Sequence, residues 1–373
     1  MSSEPKAPIR EARLLEIRRE AERRGIVMSP GARPGGAPFP VASPETGYYG
    51  IPLLKKPAWT WEIPLYFFVG GAAGAAAVIG AMANWTGADR RLVRDARWVA
   101  ALGGPISTGL LIADLGRPAR FLNMLRVFKV QSPMSVGAWT LAAFGTASAA
   151  SAFAEAVDRM SGGLVPVRVL GNAAEALAAS TGVVMSTYTG VLIGATVIPA
   201  WNRNVRTLPL HFAASGVGSA VSILELMGHD RSRALNLMGL GAAAYEAYEG
   251  LEIESHPEPA NEPLRHGVSG WVTRSGGVLS GPVPLLLRLA SFTTSGEQAR
   301  NFRRAAAMST LVGSFITRVA WMMAGKASAR DHRLPLGLGA GAVHRQELPA
   351  KARQQERNLL PSQHPDKQHG LKS

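Results

Sequence analysis

The side chains placed to do chemistry in this sequence are one phenol, one imidazole and a handful of carboxyls, each inside or beside an apolar stretch. Tyr188 lies in STGVVMSTYTGVLIGATVIPAW, where Ser186, Thr187 and Thr189 complete a polar turn midway along an otherwise apolar run. Ser and Thr satisfy themselves by bonding back to their own helix. A phenol both donates and accepts, and its ring lies flat on an aromatic head group, so Tyr188 suits the carbonyl of a quinone-like ring. An ordinary interhelical hydrogen bond explains it equally well. Glu62 precedes Pro64 among Trp59, Trp61 and Tyr66. The aromatics read as an interfacial belt, whereas a carboxylate in that company can exchange protons with a ring-shaped ligand. His211 opens an apolar run that Glu225 closes about four turns later. With Glu175, Glu246 and Glu249, these groups form a proton path or, alternatively, sit separately at the water interface. Asp114 and Arg117 in LIADLGRPARF are spaced to pair at a helix end, as a structural or partner-facing clamp.

No metal site is expected. His211 has no second histidine four residues on, and no Glu-x-x-His pair or facing histidines for haem are present. Zero cysteines exclude disulfides, thiolate-held iron-sulfur clusters and covalent haem within the polypeptide.

The elements that must hold these groups are membrane helices. From Ile63 to Gly87 there is no charged residue, and such a run exceeds the roughly 20 residues a helix needs to cross a bilayer. Eight apolar segments are expected as spans, at 62–85, 96–114, 134–155, 173–201, 207–227, 233–250, 276–291 and 304–325. The first five are the plainest. Glu246 and Glu249 shorten the sixth, Pro282 and Pro284 fall in the seventh, and Arg318 interrupts the eighth, which leaves six or seven spans as the alternative. The fold class is therefore all-α, a polytopic integral membrane helix bundle with about eight transmembrane helices and disordered charged termini. Gly70, Gly71 and Gly74 mark the first span as a packing helix, because small residues let backbones approach where lipid gives helices no hydrophobic reason to associate. The same glycines follow no strand, so they do not form a phosphate loop.

Three regions follow: a basic Pro/Gly-rich extension at 1–57, a transmembrane domain at 58–325 and a charged tail at 326–373. Within the extension, residues 9–24 read as a solvated helix. No signal-peptide core precedes the first span, which is expected to act as the targeting element. The 373 residues carry a net charge of +14 and are 47% hydrophobic. Arginines grouped beside apolar spans meet lipid phosphates, so membrane lipid and not nucleic acid is the expected partner of that charge. Phe121, Met124, Leu125 and Phe128 share a face of the loop after the second span and suit an interfacial helix.

DLGRPARFLNMLRVFKVQSPMSVGAWTLAAFG, together with the earlier WEIPLYFFVGGAAGA and the later YTGVLIGATVIPAW, resembles the NrfD or polysulfide-reductase membrane-subunit family over roughly residues 58–325. The resemblance implies an eight-helix bacterial inner-membrane subunit, without haem or iron-sulfur cluster of its own. Such a subunit binds quinone, as menaquinone or ubiquinone, and docks on a ferredoxin-like iron-sulfur subunit attached to a molybdopterin oxidoreductase. It transfers quinone contacts to the Glu62 to Tyr66 region and to Tyr188, and gives Asp114, Gly116, Arg117 and Pro118 a structural or partner-facing part. The expected function is electron exchange between that partner and the quinone pool, with Tyr188 binding a carbonyl and Glu62 or His211 exchanging protons. A proton channel, a secondary transporter and a purely structural anchor are the rival readings.

Overall fold

The computed structural model describes residues 54–331 except 117, 118 and 163, together with Arg19 and, at Arg120, the backbone alone. The expected helix at 9–24, the Pro/Gly stretch and nearly all of the carboxy-terminal tail therefore fall outside the described residues, as does Arg117.

Every regular element among the described residues is helical. Glu62–Trp85 forms α1, Arg90–Asp114 α2, Ala119–Met124 α3, Pro133–Met160 α4, Val165–Gly194 α5 and Pro199–Arg203 α6. Leu208–Leu224 forms α7, which runs into a π turn at Glu225–His229. Arg233–Ser255 is α8, Glu262–Arg265 α9, Gly267–Ser280 α10, Pro282–Thr293 α11 and Gly296–Ser328 α12.

Five of these are long and apolar enough to cross a membrane: α1, α2, α5, α7 with its π turn, and α12. The expected third span is α4, a 28-residue helix of sufficient length whose serines and threonines keep it below that apolar standard. The expected eighth is among the five, and the Arg318 side chain that interrupts it is buried within the bundle. The second begins earlier than expected: Asp89 accepts a hydrogen bond from the Arg91 backbone N–H and caps a helix that draws the charged RRLVRDAR stretch into α2. The fourth ends at Gly194 instead of residue 201, and the polypeptide re-enters helix as α6 with Pro199 in its first turn.

The expected seventh span is not one continuous helix. Pro282 has no N–H to continue the ladder, and the backbone breaks at Gly281 into helices of 14 and 12 residues, each too short to cross alone. A Cβ on Gly281 would lie 2.7 Å from the Ala247 backbone nitrogen, so the break is also where this broken helix presses on α8. The interfacial helix is likewise shorter than expected, six residues, although Leu122, Val127 and Phe128 remain exposed along that loop. Helix α12 runs to Ser328, past the expected start of the tail at 326.

Two bundles result. Helices α1, α2, α4 and α5 pack together, and α7, α8, the broken α10/α11 and α12 form the second group, with α1 and α5 meeting α7 between them. The glycines of α1 act as expected: a Cβ on Gly74 would lie 2.5 Å from the Gly182 carbonyl oxygen of α5, and one on Gly182 would lie 2.6 Å from the Gly74 oxygen. That crossing is a backbone-to-backbone contact which only glycine permits.

Candidate functional site

Tyr66 on α1 and Tyr188 on α5 line the same slot, a cavity of about 70 Å³ closed further by Phe67, Leu111, Gly137 and Leu192. Both phenols are largely buried, at 2% and 6% exposed, and neither hydroxyl has a hydrogen-bond partner among the described residues. The interhelical bond that offered an alternative role for Tyr188 is thus not made. Tyr188 reaches its position because α4 carries Gly137, where a Cβ would lie 1.8 Å from the phenol Cζ. At the open end, Met134 is 48% exposed and Met124 half-buried. The slot as it stands has room for water and not for a substituted ring. A head group entering it displaces those two flexible thioethers.

Asp114 lines the same slot, and Glu62 stands beside it at the start of α1. Asp114 accepts from the Thr60 backbone N–H at 3.1 Å and lies 2.9 Å from the Thr60 hydroxyl, which also contacts Glu62. Asp114 therefore ties the segment leading into α1 to the end of α2. This contact spans 54 positions; the expected pairing of Asp114 with Arg117 lies outside the described residues. A hydroxyl has one proton to give, so Thr60 serves the two carboxyls alternately. Trp59 stacks on Trp201 at 5.6 Å and its carbonyl accepts from Lys326 at 2.6 Å, fixing the same segment to α6 and α12.

His211 is not in this slot. It lines a second, larger cavity of about 310 Å³ between α7, α8, α10 and α12, together with Glu246, Glu249, Gly277, Val278 and Trp321. Tilted aromatic contacts separate the two spaces: Tyr66 to Phe67 at 5.6 Å, Phe67 to Phe212 at 6.0 Å and Phe212 to His211 at 5.8 Å. Arg318 caps this wall, its guanidinium 3.7 Å above the Phe212 ring and donating to the Phe212 carbonyl at 2.9 Å.

The acids of the expected proton path are brought together only in part: Glu246 and Glu249 line the His211 cavity, whereas Glu175 and Glu225 lie elsewhere. Glu175 is held by Arg97 at 2.8 Å and by Asn84 at 2.6 Å, with Glu155 on the other side of Arg97. Asn84 and Glu62 are separated by nearly the whole of α1, about 33 Å at the helical rise, so Glu175 lies at the opposite membrane face from the slot. Glu225 is fully buried and receives two hydrogen bonds from Arg288, at 2.8 and 2.9 Å, while Asn236 accepts from the same guanidinium. The arginines that answer Glu175 and Glu225, Arg97 and Arg288, were not singled out in the sequence. A lone cation in an apolar span was the available signal, because a buried acid in hydrocarbon needs a buried cation. Among the described residues no cluster of three potential metal ligands occurs.

Residues 54–236 match the family model described as "Polysulphide reductase, NrfD". This segment belongs to the NrfD family. It contains the first bundle, both tyrosines, Asp114 and His211. The protein is also similar to the C subunit of polysulfide reductase from Wolinella succinogenes, 30% identical over 190 residues that cover 46% of this sequence and 58% of that one. It thus spans a little over half the length of that relative. The family of residues 54–236 and the long apolar helices make this a multi-pass integral membrane protein.

Proposed function

We propose that this NrfD protein is the quinone-binding membrane subunit of a multisubunit oxidoreductase in the bacterial inner membrane, exchanging electrons between a partner iron-sulfur subunit and the quinone pool. The observation that carries the reading is the convergence of two unpartnered phenols, Tyr66 and Tyr188, in one membrane-embedded slot. Such donors hold the oxygens of a ring head group and stabilise the charge that develops on them during reduction. Thr60, Glu62 and Asp114 at the slot's end supply the proton exchange, since one hydroxyl can pass a proton between two carboxyls without moving heavy atoms. The protein contributes no redox metal; electrons come from a cysteine-rich partner, a ferredoxin-like subunit attached to a molybdopterin enzyme. The similarity to a polysulfide reductase subunit supports this assignment.

Replacing Tyr188 with Phe in the complex purified from its own membranes tests it. Loss of one hydrogen bond to the ring lowers quinone turnover by roughly tenfold while the amount of assembled complex stays constant. Unchanged turnover removes Tyr188 from the role. Purification without any bound quinone or cysteine-rich subunit favours a channel, a transporter or a structural anchor instead.

A further inference from the structure

We propose that the cavity of the second bundle is a second ring-binding site, one that takes a quinol or quinone by a single oxygen held between His211 and Glu246. The proposal rests on the reading that this protein handles quinone, but it uses none of the slot's residues. Its material is a set of buried polar atoms with nothing to bind. His211 is 4% exposed and Glu246 3%, and both His211 ring nitrogens and Glu246 Oε1 lack a hydrogen-bond partner among the described residues. Ser215, one turn along α7 from His211, turns its buried hydroxyl toward Glu246. The other Glu246 oxygen is engaged by the Ser280 hydroxyl at 2.9 Å. A buried polar group left without a partner costs about 1–3 kcal/mol, so several at one point mark a place that something else completes.

The spacing says what completes it. His211 Nδ1 and Glu246 Oε1 are 3.8 Å apart, too far to bond directly and close enough for one oxygen to sit at hydrogen-bond distance from both. A quinol hydroxyl there donates to the carboxylate and accepts from the imidazole N–H, and a quinone carbonyl there accepts from the imidazole N–H and from the carboxyl in its protonated form. The remaining volume is apolar and broad: Ile253, Leu264, Val278 and Trp321 line it, and about 310 Å³ falls within the range of small-molecule sites. Leu251 and Val278 beside it are 71% and 49% exposed, so it is open to hydrocarbon and admits a molecule dissolved in the bilayer. An anionic lipid head is not served, because Arg274, the cation among the lining residues, is already paired with Glu254.

The site can be filled without disturbing the backbone. Gly277 lines the cavity, and a Cβ there meets nothing within 4 Å. An azidoquinone photolabel applied to the intact complex, followed by peptide mapping, is expected to mark both the slot, around 124–138 and 188–192, and the second cavity, within 246–282. Gly277→Leu should cut labelling of 246–282 by at least about tenfold and leave the slot's labelling intact. Label on the slot alone, or label on 246–282 that ignores Gly277→Leu, overturns the second site and leaves the slot standing. Label on 246–282 alone supports it and removes the slot. Label in neither place overturns both.

Discussion

Glu225 and Glu246 are the same residue type in the same bundle, both almost wholly buried, yet one is closed and the other is open. Glu225 receives two hydrogen bonds from Arg288, and Asn236 takes a further guanidinium proton. Glu246 has one hydroxyl donor on one oxygen and an unpartnered second oxygen facing a cavity. Burial alone therefore does not mark a functional acid inside a membrane; the state of its hydrogen-bond capacity does. The first bundle repeats the lesson, with Glu175 locked by Arg97 at one membrane face and the phenols of Tyr66 and Tyr188 left free at the other.

The largest effect should come from opening the closed acid. Arg288→Leu strands Glu225 as a buried charge and should cost about 3–5 kcal/mol, seen as loss of folded protein in a detergent melt. Adding Glu225→Leu should restore much of that loss, and a double variant no better than the single one breaks the contrast. Next comes Gly137→Ala, whose Cβ must push the Tyr188 ring aside. Overpacking of this kind costs about 1–3 kcal/mol, and quinone binding should fall together with the melting temperature. Glu246→Gln should change stability by only about 1 kcal/mol, because the amide keeps a partner for Ser280, although the buried Arg318 loses the opposite charge of a neighbouring carboxylate. A large destabilisation there would show Glu246 to be structural after all. The smallest effect belongs to the exposed pair outside the spans, Arg203 with Glu258. The hydrogen bond from Arg203 holds the Glu258 carboxyl below its ordinary range, so the pair's contribution is present at neutral pH and lost as pH falls through the folded-state value. The melting difference between wild type and Arg203→Ala should be small at pH 7 and vanish once the pH is below that folded-state value, which lies under the ordinary Glu range.

The helices were legible because their determinants are local. The charge-free run from Ile63 to Gly87 gives α1 with the bounds expected of it, and Pro282 marks where the seventh segment breaks, although one continuous helix was expected there. Tyr66 and Tyr188 were legible as candidates through the residue chemistry and the motifs around them. What escaped was whatever depends on which helix faces which. Asp114 takes a hydrogen bond from Thr60, 54 positions away, a partner that no local spacing names. His211 invites the same chemistry as Tyr188, yet the Phe67 and Phe212 rings divide them, and no periodicity along a single helix reveals that wall.

The glycine crossing of α1 and α5 bears on which molecules the slot accepts. With the Gly74 and Gly182 backbones already touching, the two rods carrying Tyr66 and Tyr188 have no slack through which to draw nearer, and the distance between the phenols is set by the backbone and not by adjustable side groups. Discrimination among ring substituents should accordingly be strict along the line joining the two hydroxyls and lenient toward the methionine end. Lengthening a substituent on one edge of the ring would then abolish binding, while the same group on the other edge passes unnoticed.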